Sequence, residues 1–278
     1  MVDVDEPGWD EEGEWGQEEE EAAEDPYVEA AREALSQLFE EKRREVFYLQ
    51  QLKVKLEKRF YHWITAKAAN QLIGEGLLRA EETPLLEGTR AKFVAHRSHR
   101  FCKRQIGRAL EVVREYSRPE IIQACGEQAD MLFFNALMGR GFVSAGQDTN
   151  EYRGKKWTKT HHDLDFIIER DGRSYGCEVK NAWAYIARAE MRVKLDMCDF
   201  LGVVPLFIMR YAPKSYLDEI WKRGGAFVIF EWHIYPFGQE DLVRRIRETL
   251  GLGADSPRAI PAGIIDRFMN KVHGPSLM

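Results

Sequence analysis

The stretch DLDFIIERDGRSYGCEVKN, Asp163 to Asn181, decides how the rest of the chain is read. Asp171-Gly172 separates two runs rich in β-formers, and this dipeptide suits a two-residue type I′ turn, in which both central residues need positive φ. With those two residues as the whole loop, Arg170 opposes Arg173, Phe166 opposes Cys177, Asp165 opposes Glu178 and Asp163 opposes Lys180. One face then carries Phe166, Ile168, Tyr175, Cys177 and Val179, which is a core face. The other gathers Asp163, Asp165, Glu178 and Lys180, with opposed Cβ atoms about 4.5–5.5 Å apart. Two carboxylates at that distance repel each other, so something cationic is expected between them. A hard divalent ion such as Mg²⁺ or Mn²⁺ takes oxygen ligands of this kind and keeps several waters. Lys180 would be placed to steady an oxyanion or orient an attacking water. The plainer reading is a solvated face whose Asp163–Lys180 pair is worth about 0–1 kcal/mol.

Asp165 followed, across a hairpin, by Glu178-Val179-Lys180 resembles the PD-(D/E)XK nuclease superfamily, and the spacing looks like its archaeal Holliday junction resolvases and restriction-endonuclease-like proteins. The resemblance covers roughly residues 119 to 235. It implies an α/β fold with a restriction-endonuclease-like mixed sheet flanked by helices, Asp165 and Glu178 as ligands of Mg²⁺ or Mn²⁺, and Val179 adding its backbone carbonyl. It also implies a metal-site Glu on the preceding helix. The segment PEIIQACGEQADMLFFNALMGRGF opens with Pro119 and closes at Gly139 or Gly141, as helix start and stop rules expect, and Glu127 within it fits. The catalytic set is then Glu127, Asp165, Glu178 and Lys180. No Pro precedes Asp165, and Asp163 competes with it as the ligand; Asp165 is preferred because it faces Glu178 directly.

Composition agrees with a nucleic-acid enzyme once the acidic N-terminus is set apart. The 278 residues carry a net charge of −6, yet residues 1 to 25 hold 13 acidic residues and no Lys or Arg, which leaves 33 acidic against 40 basic in the remainder. A basic body suits DNA. The first 28 residues read as a disordered acidic tail, since dense like charge cannot bury enough apolar surface to offset ordering. With Trp9 and Trp15 in it, the tail suits a protein partner or the chain's own basic groove. No apolar run approaches a membrane span, the N-terminus resembles no signal peptide, and the four cysteines form no C-x-x-C, so a reduced, cytoplasmic location is expected.

Residues 29–97 read as a second unit: a helix with Ala30, Ala34, Leu35 and Leu38, the segment EVFYLQQL, two further helical stretches with Thr65 as N-cap and Gly76 as a left-handed end, and two strand-like runs around a turn. The order resembles a winged helix-turn-helix domain, which implies that Lys67, Asn70 and Gln71 lie on a recognition helix and Arg90 and Lys92 on the wing. A basic linker helix over 98–118 follows, and the stripe there and just before it, Arg97, Arg100, Lys103, Arg104, Arg108, Arg114 and Arg118, could neutralise several phosphates. Arg153, Lys155, Lys156 and Lys159 surround Trp157 in a turn-rich segment that reads as a flexible loop with Trp157 free to stack on a base. Within 119–278, AEMRVKLDMCDFLG, VVPLFIMRY, SYLDEIWKRGG and AFVIFEWHIY alternate helix and strand around the hairpin. The last two helical stretches would cover a sheet edge or a homodimer surface. Two rival functions remain at this point: a non-catalytic DNA-binding or regulatory protein on the same scaffold, and an RNA nuclease.

Overall fold

The computed structural model describes residues 26–85 and 88–272 and is a mixed α/β protein. The expected tail lies outside the described residues up to Asp25, and its last three residues instead open the first helix. The N-terminal elements are α1 (Pro26–Glu41), β1 (Val46–Tyr48), α2 (Leu49–Leu56), α3 (His62–Gly74), β2 (Leu78–Pro84) and β3 (Arg90–His96). The three strands form an antiparallel sheet in the order β1-β3-β2. Val28, Ala31, Leu35 and Phe39 of α1, spaced at three and four residues, meet Ile64, Ala68, Ala69 and Leu72 of α3 in one core. Tyr61 rather than Thr65 caps α3, and Thr65 is buried inside the helix. Gly76 ends that helix region with φ 71°, as expected.

The next helix, α4 (Lys103–Tyr116), begins later than the expected linker helix. It does not stand free as a linker. Its apolar face, Ile106, Ala109, Leu110, Val113 and Tyr116, is shared with Phe93 on one side and Leu242, Ile246 and Leu250 on the other. An amphipathic stripe of that width has to be covered, and both halves of the chain cover it.

The remaining elements are α5 (Pro119–Met138), β4 (Val143–Thr149), β5 (Glu151–Tyr152), β6 (Lys155–Lys156), β7 (Leu164–Arg170), β8 (Arg173–Lys180), α6 (Arg188–Leu201), β9 (Val204–Met209), α7 (Lys214–Lys222), β10 (Ala226–Ile229), β11 (His233–Ile234), α8 (Glu240–Leu250), β12 (Ala254–Asp255) and α9 (Ala262–Val272). Five strands form the central sheet in the order β10-β9-β8-β7-β4. The β7–β8 hairpin turns at Asp171 and Gly172, with φ 50° and 74°, and pairs Arg170 with Arg173 and Phe166 with Cys177. β9 and β10 join in parallel. Two successive crossovers in one direction put α6 and α7 on the same side of the sheet, as right-handed connections require. On the other side α5 and α9 cover Phe166, Ile168, Tyr175, Cys177 and Val179. Ile167, one residue out of phase, packs with Met197, Cys198 and Leu201 of α6. Each fully buried side chain of this size contributes about 1.5–3 kcal/mol.

The run AFVIFEWHIY is not a single strand. At Glu231 the backbone turns to φ 66°, β10 stops, and β11 leaves the central sheet to pair with β12. The last two helices have inward roles, α8 against α4 and α9 against α5 and β10. No helix among the described residues is long and apolar enough to cross a membrane.

Candidate active site

The site forms where β7 and β8 part. Their pairing runs in register only as far as Phe166 and Cys177. Asp165, one residue beyond, does not simply face Glu178; its Oδ2 accepts the Val179 N–H at 2.5 Å, inside the gap between the strands. Val179 thus engages through its N–H. Burial, only partly offset by that hydrogen bond and by Lys194 and Lys180, raises the Asp165 pKa.

A bulge on β4 brings a second carboxylate. Val143 pairs with Glu169 and Ser144 with Ile168, but from Gly146 onward the register has shifted by one, so that Gln147 pairs with Phe166 and Thr149 with Leu164. The extra residue, Ala145, sets Asp148 opposite Asp165; without it Asp148 would oppose Leu164. Asp148 has φ 43°, a left-handed conformation that Asp tolerates better than most residues.

The helix α5 supplies a third. Phe134 packs edge-on to Phe166 at 5.4 Å between ring centroids, and Asp130 lies one turn earlier, beside Asp165 in the neighbouring strand position. Burial, then Asp165, Asp148 and Glu127, push Asp130 up to about 8. Glu127, the expected helix carboxylate, is exposed and takes a hydrogen bond from Gln123 at 2.8 Å. The buried stripe of α5 is Cys125, Ala129, Leu132, Phe133 and Leu137, which rotates Asp130 rather than Glu127 toward the strands.

One cation beside the carboxylates is part of the chain. Gly176 has no room for a Cβ, which would lie 2.8 Å from Leu164 and Val203 and 2.9 Å from the Cys198 Sγ. Glycine there lets α6 settle against β8 with Cys198 over Gly176. Four helical residues rise about 6 Å and two strand residues about 6.7 Å, so the antiparallel helix next sets Lys194 against Glu178 and then Glu190 against Lys180. The Lys194–Glu178 pair spans 2.6 Å and is buried on both sides, and the Lys180–Glu190 pair spans 3.1 Å. Glu178 is 5% exposed. Burial and Asp165 raise it to about 8 despite Lys194. Burial opposes the charge on Lys194, but Glu178 and Asp165 outweigh it and raise that pKa.

Asp163 stays outside this group. Its side chain is exposed, it precedes β7, and its backbone carbonyl accepts a hydrogen bond from Lys194. It therefore does not pair with Lys180. Asn181 fixes the end of β8: its amide donates to the Cys125 carbonyl at 2.9 Å and the Ile234 carbonyl at 2.7 Å, and its oxygen accepts the Ile234 N–H at 2.9 Å. Arg210 holds the following loop, donating to the carbonyls of Ala182 and Trp183, and its own N–H reaches the Lys180 carbonyl at 3.0 Å.

The carboxylates supply oxygen donors only, and their mutual repulsion makes the proton-free set unfavourable without added positive charge. Among the described residues no three His, Cys, Asp or Glu side chains form a ready-made metal-holding group. A hard ion commonly takes one or two carboxylates and fills its shell with water and phosphate oxygens, so the donor chemistry of Asp165 with Asp130 or Glu178 fits Mg²⁺ or Mn²⁺.

The other expected contact residues divide. In the N-terminal unit Asn70 accepts from Lys92, Gln71 meets Arg32, and Arg90 and Lys92 both pair with Glu82. Lys67 is half-buried on α3. Trp157 is not a free stacking residue: it is 3% exposed and packs with Tyr152, Leu164 and Leu201, while its indole N–H donates to Thr160. Its segment is the small β5–β6 hairpin rather than a loose loop. There Arg153 pairs with Glu169 and Lys155 reaches the Phe200 carbonyl, Lys156 is exposed, and Lys159 lies over the Trp157 ring. Arg97, Arg100, Lys103, Arg104 and Arg108 are exposed and lack a carboxylate partner among the described residues.

Asp130, Asp148, Lys194 and Glu190 are not assigned by the sequence reading. The one pattern that could have found two of them is the match of E-x-x-x-K-x-x-x-C on a helix to G-x-E-x-K on the preceding strand. No family model, curated protein or solved structure matches this chain.

Proposed function

We propose that the chain is a metal-dependent nuclease that hydrolyses phosphodiester bonds in DNA, with a restriction-endonuclease-like core. The observation that carries this reading is the set of charges that act on Asp165 and its neighbours where two strands separate: Asp148 and Lys180 act on Asp165, and Asp165 raises both Asp130 and Glu178. The sheet order β10-β9-β8-β7-β4, with two helices on each face, supports the core assignment. The order helix, strand, helix, helix, strand, strand in residues 26–96 supports a winged helix-turn-helix unit beside it.

Asp165, with Asp130 or Glu178, would hold Mg²⁺ or Mn²⁺. When bound, such an ion lowers the pKa of its water and offsets charge on the scissile phosphate. Lys180 donates hydrogen bonds to the phosphoryl oxygen on which negative charge grows. Glu190 holds the Lys180 ammonium in place, and Asn181 and Arg210 fix the strand end that carries it. Lys194 neutralises Glu178 while the site is empty of substrate.

That internal neutralisation also favours a second reading, a DNA-binding protein that keeps the scaffold without the chemistry. One experiment separates them. Labelled duplex, junction, flap and single-stranded DNA, with matched RNA, are incubated with Mg²⁺, Mn²⁺ or EDTA. The nuclease reading expects cleavage with metal and none with EDTA, and Lys180→Ala should retain DNA binding while cleavage falls by about 10²–10³-fold. Binding without cleavage of any substrate would establish the second reading, and preferential cutting of RNA would change the substrate.

A further inference from the structure

Phe101 is 90% exposed, in the sequence Arg100-Phe101-Cys102-Lys103-Arg104. Single exposed apolar residues are ordinary, but this one differs from the others. Trp221 carries Lys271 over its ring at 4.5 Å, Phe237 carries Arg258 at 5.0 Å, and Phe200 packs edge-on to Trp157 at 5.7 Å. Phe101 has neither a cation nor an aromatic ring against it among the described residues, although cations flank it on both sides. The backbone that carries it adjoins a held residue. Cys102, the next residue, is 1% exposed, accepts a hydrogen bond from the Arg79 guanidinium, and caps α4 through its carbonyl, which takes the N–H groups of Gln105 and Ile106 at 2.9 Å.

The charges around it are equally unsatisfied. Elsewhere on the surface Arg43, Arg90, Arg223, Arg244 and Arg247 each meet a carboxylate. Arg97, Arg100, Lys103, Arg104 and Arg108 meet none among the described residues. Lys103, Arg104 and Arg108 lie on the exposed side of α4, whose other side is core. Glu111 closes the run one turn beyond Arg108. Positive charge without acidic partners, next to a bare aromatic ring, matches the alternation of phosphate and base along an unpaired strand. Cations track the backbone and the ring takes a base. A blunt duplex keeps its bases stacked inside and offers Phe101 nothing comparable.

We propose that the surface formed by Arg97, Arg100, Phe101, Lys103, Arg104 and Arg108 binds nucleic acid containing unpaired bases, with Phe101 stacking on one of them. This rests on the nucleic-acid reading above and narrows it to substrates with a single-stranded part. The full chain is titrated in EDTA with a fluorescein-labelled single-stranded oligonucleotide carrying 2-aminopurine, and with a blunt duplex of equal length. Phe101→Ala should weaken single-strand binding about tenfold or more and abolish 2-aminopurine quenching, while duplex affinity changes less than about twofold. Phe101→Trp should restore both signals. Arg104→Gln should weaken both ligands and lower the salt slope by about one. Thermal melts unchanged from wild type show that the exposed-site variants are folded. Equal single-strand binding by wild type and Phe101→Ala overturns the stacking assignment and leaves the nuclease reading standing. Failure of the wild type to bind either DNA overturns both. Binding of a poly-glutamate peptide in place of DNA, lost in Phe101→Ala, overturns the proposal in favour of an acidic protein partner.

Discussion

Glu57 and Glu178 are both buried carboxylates facing buried cations, and they end in opposite electrostatic states. Glu57, at the end of α2, receives both Nη atoms of Arg210 at 2.6 Å and His62 at 3.2 Å. Burial works against its charge, but Arg210 and His62 outweigh that and hold its pKa below the usual range. Arg210 is 1% exposed and donates its remaining nitrogen, Nε, to the Ala182 carbonyl, and His62 stacks on Tyr185 at 3.9 Å. Glu178 has a single ammonium for a partner and Asp165 as a neighbour, and its pKa rises to about 8. A planar fork that matches both oxygens completes one pair; a point charge shared between acids leaves the other short of positive charge. The first pair ties the N-terminal unit to the core. The second leaves two acids sharing one ammonium.

The largest test breaks the completed pair. Glu57→Ala leaves Arg210 buried without its counter-charge and should cost about 3–5 kcal/mol in a denaturant titration, whereas Glu57→Leu with Arg210→Met should recover most of it. A loss under about 1 kcal/mol would mean that water reaches this contact. A smaller effect of opposite sign is expected at the other pair. Asp165→Asn removes the repulsion on Glu178 while its side-chain oxygen still accepts the Val179 N–H. Metal-free protein should then melt about 2–4 °C higher, the response of a protein this size to about 1 kcal/mol, and on the nuclease reading the same variant should not cleave when Mg²⁺ is added. An unchanged or lower melting temperature would show that Asp165 and Glu178 do not repel in solution.

A third test is the pH profile, where the two pairs should part. Glu178 and Asp130 have raised folded values near 8, so the folded state holds protons that the unfolded chain has already released. Their contribution is full below the ordinary carboxylate range and is lost as pH rises toward 8. Glu57 is lowered, so its contribution is present above that range and is lost as pH falls through its folded value. Melts in EDTA should therefore decline from pH 5.5 to 8.5, and Asp165→Asn should flatten that decline while leaving the acid limb in place.

Much of the frame is legible because its signals are local. Asp171-Gly172 fixes the turn, Pro119 and Gly139 bound α5, and alternating apolar positions assign the core face of β7 and β8. The active-site details depend on geometry between distant segments. Glu127 and Asp130 differ by three residues, and the stripe of α5 that tertiary packing buries, Cys125, Ala129, Leu132, Phe133 and Leu137, decides which of them turns inward. Trp157 sits among polar residues in the chain, but its neighbours in space are Leu164, Met197 and Leu201. The halt at Glu231 is a backbone event inside an apolar run that carries no Gly or Pro.

The bulge at Ala145 has a broader consequence. The number of residues in β4, as much as their identity, sets how many acids confront each other in the cleft. Trimming that strand by one position would leave every carboxylate in the sequence yet turn Asp148 toward a leucine's place, so one deletion in a strand, with no acid replaced, would change how strongly these groups repel.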